Sequence, residues 1–376
     1  MWVCQPHKIR LLLFTVLKKI DRYIIIKFLT TFVVAISLIL ALTVVFDVSE
    51  KLDGLIGRPG YAPKWNEVLF HYYLNFIPYF GNLFSPLFVF ISVIFFTSRM
   101  ASRLEIISIL ATGISYWRLL VPFLFSAFLI AAVSWGLTNF ILPRSNEIRV
   151  DFEKKYFSKR SETSTNFHRQ LSRGEFVFVE RYDLRANRAS KFAYEKMQDD
   201  RLVLKIMSGH IVYDSLTGNW QLHDYIIRSF DGMNESVRRG ALMDTTFAFT
   251  PSFFKHDLKK IETMSNNELH AFIEEEKSKG SEFINYYLIE KNQRNANPFS
   301  TIILTLIAVP IASRKVRGGI GFHLAMGVAM AFSYIFMMRI TTTFALNGLL
   351  QPWLAVWLPN FCFVVVGVIL IRFAQK

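Results

Sequence analysis

The sequence predicts an α-helical polytopic membrane protein with six transmembrane helices in a 3+3 arrangement and an inserted all-β domain. Two observations predict the helices: 52% of the 376 residues are hydrophobic, and the mean hydropathy is +0.31. The apolar residues also collect in charge-free runs of roughly 18–20 residues or more, enough to cross a hydrocarbon core of about 30 Å. Because backbone polar groups must be hydrogen-bonded internally in lipid, these runs should be helical.

The uncharged runs predict six membrane spans and the turn between the last two. The spans fall at about 26–48, 73–97, 118–142, 298–314, 320–345 and 352–371. Asn347-Gly348 and Gln351-Pro352 mark the turn between spans five and six. Pro298 suits the first turn of span four, where a missing N–H costs nothing.

The formal net charge of +14 is explained by the placement of basic residues in alternate connections. Cytoplasmic connections carry an excess of Lys and Arg, so both termini are predicted to be cytoplasmic. This placement also accounts for the charge without a nucleic-acid partner. The basic residues concerned are Lys8, Arg10, Lys18, Lys19, Arg22, Lys27, Arg99, Arg103, Arg118, Arg314, Lys315, Arg317, Arg372 and Lys376.

The same pattern divides the chain into four regions. Residues 1–25 form a cytoplasmic segment rather than a signal peptide, and 26–142 hold spans one to three with a cytoplasmic coupling helix at 99–115. Residues 143–297 are predicted to form a β domain with a helical stalk on the outer side of the membrane, and 298–376 to hold the remaining spans. Cys4 and Cys362 imply neither a disulfide framework nor a metal site.

The sequence pattern of the region 143–297 is typical of short strands followed by a helix. Alternating segments separated by turn residues predict about six strands, arranged as a sandwich or jelly roll: "EFVFVER", "KFAYEKM", "RLVLKIMSG", "HIVYDS", "NWQLHDYIIRSF" and "GALMDTTFAF". A helix follows, capped at Ser265 or Asn266 and stopped at Gly280. The segment "SEFINYYLIEKNQRNANP" then leads into span four as a helical stalk.

Catalytic and cofactor motifs are missing from the sequence. "VRGGIG" at 316–321 lacks the Lys-Ser/Thr pair of a phosphate-binding loop, and no HExxH, CxxC or GxSxG motif occurs. His323 in span five is expected to be packed in the bundle rather than to bind a ligand. We therefore expect a transport subunit that binds no cofactor or metal itself.

The charged stretch "SRMASRLEIISILATGIS" between spans two and three has two interpretations. Ser102 and Glu105 have the spacing of a capping box, which would give Glu105 a purely structural role. Alternatively, the stretch is an amphipathic helix whose apolar face docks in a groove of a soluble partner, such as a separate ATPase chain. The residues of that face are Ile107, Leu110, Ala111 and Ile114.

Several segments resemble the LptF/LptG (YjgP/YjgQ) family of lipopolysaccharide export permeases. They are "DRYIIIKFLTTF", "RLEIISILATGIS", "NFILPRSNE" and "EKNQRNANPFSTIILTLIAVPIA", and the order of spans and β domain agrees over nearly the whole chain. The first segment favours the G-type subunit. The resemblance implies an inner-membrane complex of two paralogous permeases, a cytoplasmic ABC ATPase dimer that binds ATP and Mg²⁺, and a single-span partner with a periplasmic β domain.

The resemblance also implies site residues. Glu105 occupies the position of the family's ATPase-contacting glutamate, with Arg99 and Arg103 before it and Gly113 after it. The family contacts glycolipid phosphates through charged residues near the outer ends of spans one and five. The corresponding candidates are Asp47, Glu50, Lys51 and Arg339. Arg339 in particular suits a phosphate, although snorkelling of its guanidinium to the interface is the alternative.

Three other functions are compatible with a membrane protein of this kind. A transmembrane enzyme of envelope lipids would need clustered His, Asp or Glu side chains at one interface. A sensor or structural protein would need no docking helix. A mechanotransmission-type ABC permease would bind the ATPase without moving lipid through itself.

Overall fold

The computed structural model describes residues 19–374 except 57–61, 158–162, 173, 184–185, 199–200, 216, 233, 255–257, 280, 282, 315 and 317. Several residues used in the sequence argument lie outside the described part: Cys4, Lys8, Arg10, Lys18, Gly280, Lys315, Arg317 and Lys376.

Six long apolar helices confirm the predicted membrane spans. The described helices, in chain order, are α1 (Lys19–Glu50), α2 (Leu52–Ile56), α3 (Trp65–Ser102), α4 (Glu105–Ala111), α5 (Tyr116–Tyr156), α6 (Asn266–Ser278), α7 (Ile284–Ala312), α8 (Gly319–Leu346) and α9 (Pro352–Ala374). Of these, α1, α3, α5, α7, α8 and α9 are long and apolar enough to cross a membrane.

Three of the spanning helices extend well beyond their predicted apolar runs. Helix α3 begins at Trp65, and α5 continues through a π-helical segment (Leu137–Ile141) to Tyr156. Helix α7 begins at Ile284, so Pro298 lies inside the helix, and its predicted place in the first turn is wrong. The physical reason is that hydropathy marks the part of a helix that lipid can cover, whereas the polar stalk sequence is itself helical and continuous with it.

Helix α7 lies at the centre of the bundle. In its most apolar stretch 72% of residues are buried, against 6% for α1. One apolar core joins it to α3 and α5, with Ile307 and Ala308 of α7 packed among side chains that include Phe90 and Phe123. Helix α1 adds only Ile24 and Phe28 to the buried part of this core. Most of α1 therefore presents apolar side chains outward.

The β domain between α5 and α6 is one antiparallel sheet. Its strands are β1 (Thr163–Ser172), β2 (Glu175–Asp183), β3 (Arg188–Gln198), β4 (Arg201–Tyr213), β5 (Trp220–Asp231) and β6 (Asn234–Thr245). Each strand pairs with its neighbours in sequence, in the order β1-β2-β3-β4-β5-β6. The inserted β domain is thus as predicted, and two predicted breaks, "SLTGN" and "SFDGMNES", lie at the β4–β5 and β5–β6 connections.

The arrangement within the β domain differs from the prediction. The described strands form a meander rather than a sandwich or jelly roll, because each short connection returns the chain beside the strand just completed. The segments "RLVLKIMSG" and "HIVYDS" are a single strand, β4, and strand β1 was not predicted. The buried face is covered by aromatic residues that follow β6, not by a second sheet: Phe247, Phe249, Phe253 and Phe254.

The chain returns to the bundle through a capped helix. Ser265 accepts a hydrogen bond from the Glu268 N–H, and Glu268 accepts one from the Ser265 N–H, which forms a complete capping box and confirms the predicted start of α6. Leu269 and Ile273 are buried against the first turn of α7. The helical stalk predicted before span four is thus the beginning of α7 itself.

Candidate functional site

Helix α4 is a single short helix at the end of the bundle opposite the β domain. Arg99 belongs to the last turn of α3, and Arg103 is the C-terminal cap of that helix. Leu104 then adopts a left-handed conformation (φ 64°) that turns the chain into α4. The predicted coupling helix at 99–115 is therefore wrong in extent: the helix itself covers only Glu105–Ala111.

The capping box predicted for Ser102 and Glu105 is not formed. Leu104 is the N-cap of α4 and has no side-chain cap hydrogen bond, because Ser102 is still the last residue of α3. The Glu105 carboxylate instead accepts a hydrogen bond from the Tyr23 hydroxyl of α1, with 3.2 Å between Oε2 and the phenol oxygen. Glu105 thus contacts another helix instead of capping its own.

The apolar side chains of α4 are divided between the bundle and the surface. Ile106 is buried in the bundle core, and Leu110 packs against that core from its edge. Ile107 is half exposed, at 51%, and Ala111 is exposed beside it. Ile114 lies beyond the end of the helix, so the predicted docking face reduces to Ile107 and Ala111. This leaves α4 anchored on one side with a small apolar surface on the other.

Gly113 makes the turn from α4 to α5 possible. Its φ is +84°, a conformation that residues with a Cβ adopt only at a cost, and nothing lies within 4 Å of the position a Cβ would occupy. Ser115 follows as the N-cap of α5, and its side chain accepts from the Arg118 N–H at 3.3 Å. The short helix α4 is therefore held between two defined turns.

A cavity of about 410 Å³ opens between the spanning helices toward the β-domain end of the bundle. Its wall combines apolar residues such as Leu87 and Ile335 with polar groups from α3 and α5. The full lining is Tyr79, Asn82, Leu83, Pro86, Leu87, Ser134, Thr138, Leu142, Asn146, Glu262, Glu290, Gln293, Arg294, Asn297, Ser300, Leu304, Ala331, Tyr334, Ile335, Met338, Arg339 and Thr342. Two of these side chains are cationic at neutral pH.

The two arginines of the cavity differ in their surroundings. Arg294 is buried and donates to the carbonyl oxygens of Ile261 and Met264, each at 2.8 Å, so it ties α7 to the base of the β domain. Arg339 of α8 is exposed and forms no ion pair with any described residue. Of the two, Arg294 also pairs with Glu290, at 3.3 Å, and the lipid-binding role of Arg339 stays a prediction.

Asp47 and Lys51 lie in an internal network rather than on the cavity wall. Lys51 Nζ is 2.8 Å from Asp47 Oδ1 and 3.6 Å from Glu153 Oε1. The hydroxyl of Tyr72 also donates to Asp47, at 3.0 Å. These two lipid-binding candidates thus hold α1 against α3 and α5, and neither contributes to the described lining of the cavity.

This network continues through residues that the sequence did not single out. Arg149 on α5 donates to Glu153 at 2.9 Å and to Glu262 at 3.3 Å, and its guanidinium lies 4.4 Å from the centre of the Tyr79 ring. The ion pairs therefore run from the end of α1 to the segment below the β domain. The pairs Asp47–Lys51 and Arg149–Glu153 have helical i,i+4 spacing. The two pairs that join them across the chain, Lys51–Glu153 and Arg149–Glu262, link residues more than a hundred positions apart, and the sequence gives no signal for those.

His323 is packed in the bundle, as predicted. Its side chain is buried, and its Nδ1 lies 2.7 Å from the Ser98 hydroxyl, which joins α8 to α3. Among the described residues, no three His, Cys, Asp or Glu side chains converge as a metal site would require.

The fold and the site together define a class: a multi-pass helical membrane protein with an inserted antiparallel β domain and a cavity between its spans. The sequence profile described as "Lipopolysaccharide export system permease LptF/LptG" matches residues 22–372. The chain therefore belongs to the LptF/LptG family of transport permeases, as the sequence resemblance implied. Comparison with curated proteins gives no significant match.

Proposed function

We propose that this chain is a permease subunit of an ABC transporter that extracts lipopolysaccharide from the bacterial inner membrane and passes it to a periplasmic bridge. A separate ATPase chain drives the transport. The observation that supports this most directly is the cavity between α3, α5, α7 and α8, whose wall is partly apolar and includes Arg339, an arginine with no ion pair to any described residue.

The chemistry of the cavity suits an anionic glycolipid. Moving acyl chains out of a bilayer into water costs about 0.8 kcal/mol per CH₂, so an extraction path must supply apolar surface of its own. Leu83, Leu87 and Ile335 supply such surface here. A guanidinium offers paired N–H donors that match a phosphate, and Arg339 provides one beside the apolar wall.

The partners follow from surfaces that the chain leaves uncovered. Helix α1 exposes a long apolar face, including Val34 and Leu38, that a paralogous permease subunit would cover. The exposed strand β6 ends the described sheet, and an edge of this kind can pair with the β domain of a single-span partner. Helix α4 presents Ile107 and Glu105 to a cytoplasmic ABC ATPase, two copies of which would serve the permease pair.

The proposed orientation places both termini and α4 in the cytoplasm and the β domain in the periplasm. The described basic residues Arg99, Arg103, Arg118 and Arg314 lie at the α4 end of the bundle, as the positive-inside rule favours. ATP and Mg²⁺ would be bound by the partner ATPase, and this chain would bind no cofactor of its own.

Site-specific photocrosslinking in the assembled complex tests the proposal. A benzophenone amino acid replaces Leu87 on the cavity wall, and a matched variant carries it at Phe128, which is exposed on the outer surface of α5. We expect a lipopolysaccharide adduct at position 87 whose yield depends on active ATPase. The adduct at position 128 should not depend on ATP hydrolysis.

The other outcomes separate the competing functions. Equal, ATP-independent adducts at both positions would show that lipopolysaccharide only surrounds the protein, which contradicts extraction through the cavity. A tightly bound ATPase with no adduct at position 87 would instead favour a mechanotransmission-type permease.

A further inference from the structure

The first turn of α1 is bound to the segment that follows α4. Asp21, 6% exposed, receives two parallel hydrogen bonds from the Arg118 guanidinium at the start of α5, with 2.9 Å between Nη1 and Oδ1. Bidentate pairs of this kind are among the stronger hydrogen bonds in proteins, and their geometry fixes both partners. Asp21 thus fixes the beginning of α1 relative to α5.

A second contact from the same turn reaches α4. The Tyr23 hydroxyl donates to Glu105 Oε2 at 3.2 Å, and the Tyr23 ring lies 6.4 Å, centre to centre, from the Phe96 ring of α3. The ring is therefore supported by α3 while its hydroxyl holds the carboxylate of α4. Glu105 has no capping role that would otherwise orient it.

Beyond this turn, α1 is only weakly attached to the bundle. Its central apolar stretch is 6% buried, and its buried apolar side chains, Ile24 and Phe28, lie within two turns of Tyr23. At its far end, Asp47 and Lys51 join the ion-pair network near the β domain. A helix held at its two ends and free along its length can move as a unit when one end is displaced.

We propose that Asp21 and Tyr23 are positioning residues that orient Glu105 and transmit its displacement to α1. We call the four residues Asp21, Tyr23, Glu105 and Arg118 the α1 clamp. The inference rests on the proposed function, because it assumes that an ATPase acts on α4. It adds that α1 is the first spanning helix to move when the ATPase displaces α4. The movement passes through the Asp21–Arg118 and Tyr23–Glu105 contacts within the chain.

The clamp accounts for the division of α4 into a buried side and an exposed side. Ile106 anchors α4 in the bundle, so a force on Ile107 and Glu105 rotates a short, fixed element instead of pulling a loose loop. The two contacts of the clamp flank the Gly113 turn: Glu105 precedes it in α4, and Arg118 follows it in α5. Displacement of this turn therefore acts on α1 at two points.

The test uses the complete transporter in lipid nanodiscs, with lipopolysaccharide delivered per ATP hydrolysed as the readout. Tyr23→Phe removes the hydroxyl and keeps the ring on Phe96. Asp21→Asn removes the charge that pairs with Arg118. The matched control is Arg22→Gln, since Arg22 lies between them and is exposed.

We expect Tyr23→Phe to lower the amount of lipopolysaccharide delivered per ATP by about threefold, because it removes a solvent-exposed hydrogen bond. Asp21→Asn should lower it by about tenfold, because it removes a buried, charge-assisted hydrogen bond. ATP hydrolysis and the amount of bound ATPase should stay near wild type, as should every readout of Arg22→Gln. Exchanging the charges, Asp21→Arg with Arg118→Asp, should recover most of the loss of Asp21→Asn.

The ratio separates positioning from a purely structural role. If hydrolysis and delivery fell together in Tyr23→Phe with their ratio unchanged, or if the ratio matched that of Arg22→Gln, the clamp would be disproved. Should Asp21→Asn fail to assemble, Tyr23→Phe alone decides. A wild-type complex that hydrolyses ATP but delivers no lipopolysaccharide would contradict the proposed function instead.

Discussion

Arg149 shows how a single side chain joins distant parts of this chain. It is buried, pairs with Glu153 and Glu262, and lies over the Tyr79 ring. Removing one partner of a buried ion pair is far more costly than removing a surface charge, because the remaining charges lose their compensation. Arg149 is therefore expected to stabilise the junction between the bundle and the β domain.

Replacing this arginine gives a direct measure of that role. We expect Arg149→Ala to lower the free energy of unfolding by about 3 kcal/mol. Its removal takes from Glu153 the guanidinium that lies 2.9 Å from its carboxylate. Thermal unfolding of the purified chain in detergent measures the change. The control is Arg144→Ala, an exposed position on the same helix, which should unfold as the wild type does; equal loss in both variants would contradict the network.

Arg339 is expected to act on ligand binding instead of on stability. It is exposed and unpaired among the described residues, so its replacement breaks no internal ion pair. Arg339→Glu should reduce lipopolysaccharide crosslinking at position 87 about tenfold, because it places a carboxylate beside the anionic head group. Arg339→Lys should keep part of the yield. Unchanged crosslinking in Arg339→Glu would remove this residue from the lipid path.

At the scale of residues, the sequence predicted the burial of one side chain, His323, but not the ion-pair partners of the charged side chains. His323 was correctly predicted to be packed, because a lone histidine in an apolar helix has few other options. Asp47 and Lys51 were expected to meet lipid, yet their charges are matched by each other and by groups on α3 and α5. The Asp47–Lys51 pair has i,i+4 spacing, whereas the contacts with Glu153 and Tyr72 join distant segments and depend on tertiary packing, which spacing along the chain does not encode.

Among the secondary-structure elements, α4 depends on the conformation of one glycine. Gly113 has a φ of +84° in open space, so a substitution is opposed by the backbone alone and not by a clash. We expect Gly113→Ala to destabilise the turn by about 1–2 kcal/mol. Gly113→Asn should cost less, since asparagine tolerates this conformation. Hydrogen exchange of the α4 amides measures the effect; equal exchange in the two variants would contradict it.

The first turn of α6 is expected to depend on pH. Hydrogen bonding from the Ser265 backbone N–H holds the pKa of Glu268 below its ordinary value of about 4.5. A carboxylate with a lowered pKa stabilises the folded state above its ordinary pKa and loses that contribution as the pH falls through the folded value. The protection of the α6 amides, with exchange rates corrected for their intrinsic pH dependence, should therefore fall below about pH 4.5.

A neutral side chain of the same shape is the control for this titration. Glu268→Gln keeps a capping-box acceptor without an ionisable group, so its exchange should show no step in the acidic range. If Glu268→Gln showed the same loss of protection as the wild type, the step would belong to another group.

At the scale of elements, the sequence predicted which helices exist but not where the long ones begin and end. The six spans and the start of α6 followed from uncharged runs and from the Ser265–Glu268 spacing. The extensions of α5 to Tyr156 and of α7 back to Ile284 are polar helix, for which hydropathy gives no boundary. About six short strands were expected to form a sandwich or jelly roll, but short connections place the described strands in one sheet, and the aromatic residues after β6 cover its buried face.

For the whole molecule, the orientation in the membrane is the first prediction to test. In a chain with Cys4→Ser and Cys362→Ser, single cysteines are introduced as Ser108→Cys on α4 and Arg239→Cys on β6, both at exposed positions. An impermeant maleimide added to intact spheroplasts should label position 239 only. Labelling of both from the same side would contradict the assignment of α4 to the cytoplasm.

The central claim for the whole molecule is that ATP hydrolysis on a partner chain moves lipid through this one by way of α4. The most direct measurement is ATP-dependent transfer of lipopolysaccharide to a soluble acceptor by the reconstituted complex, with Glu105→Ala compared against Ser108→Ala on the exposed side of the same helix. We predict that Glu105→Ala abolishes transfer while the β domain stays folded and Ser108→Ala transfers normally. Normal transfer and normal ATPase association in Glu105→Ala would contradict the account.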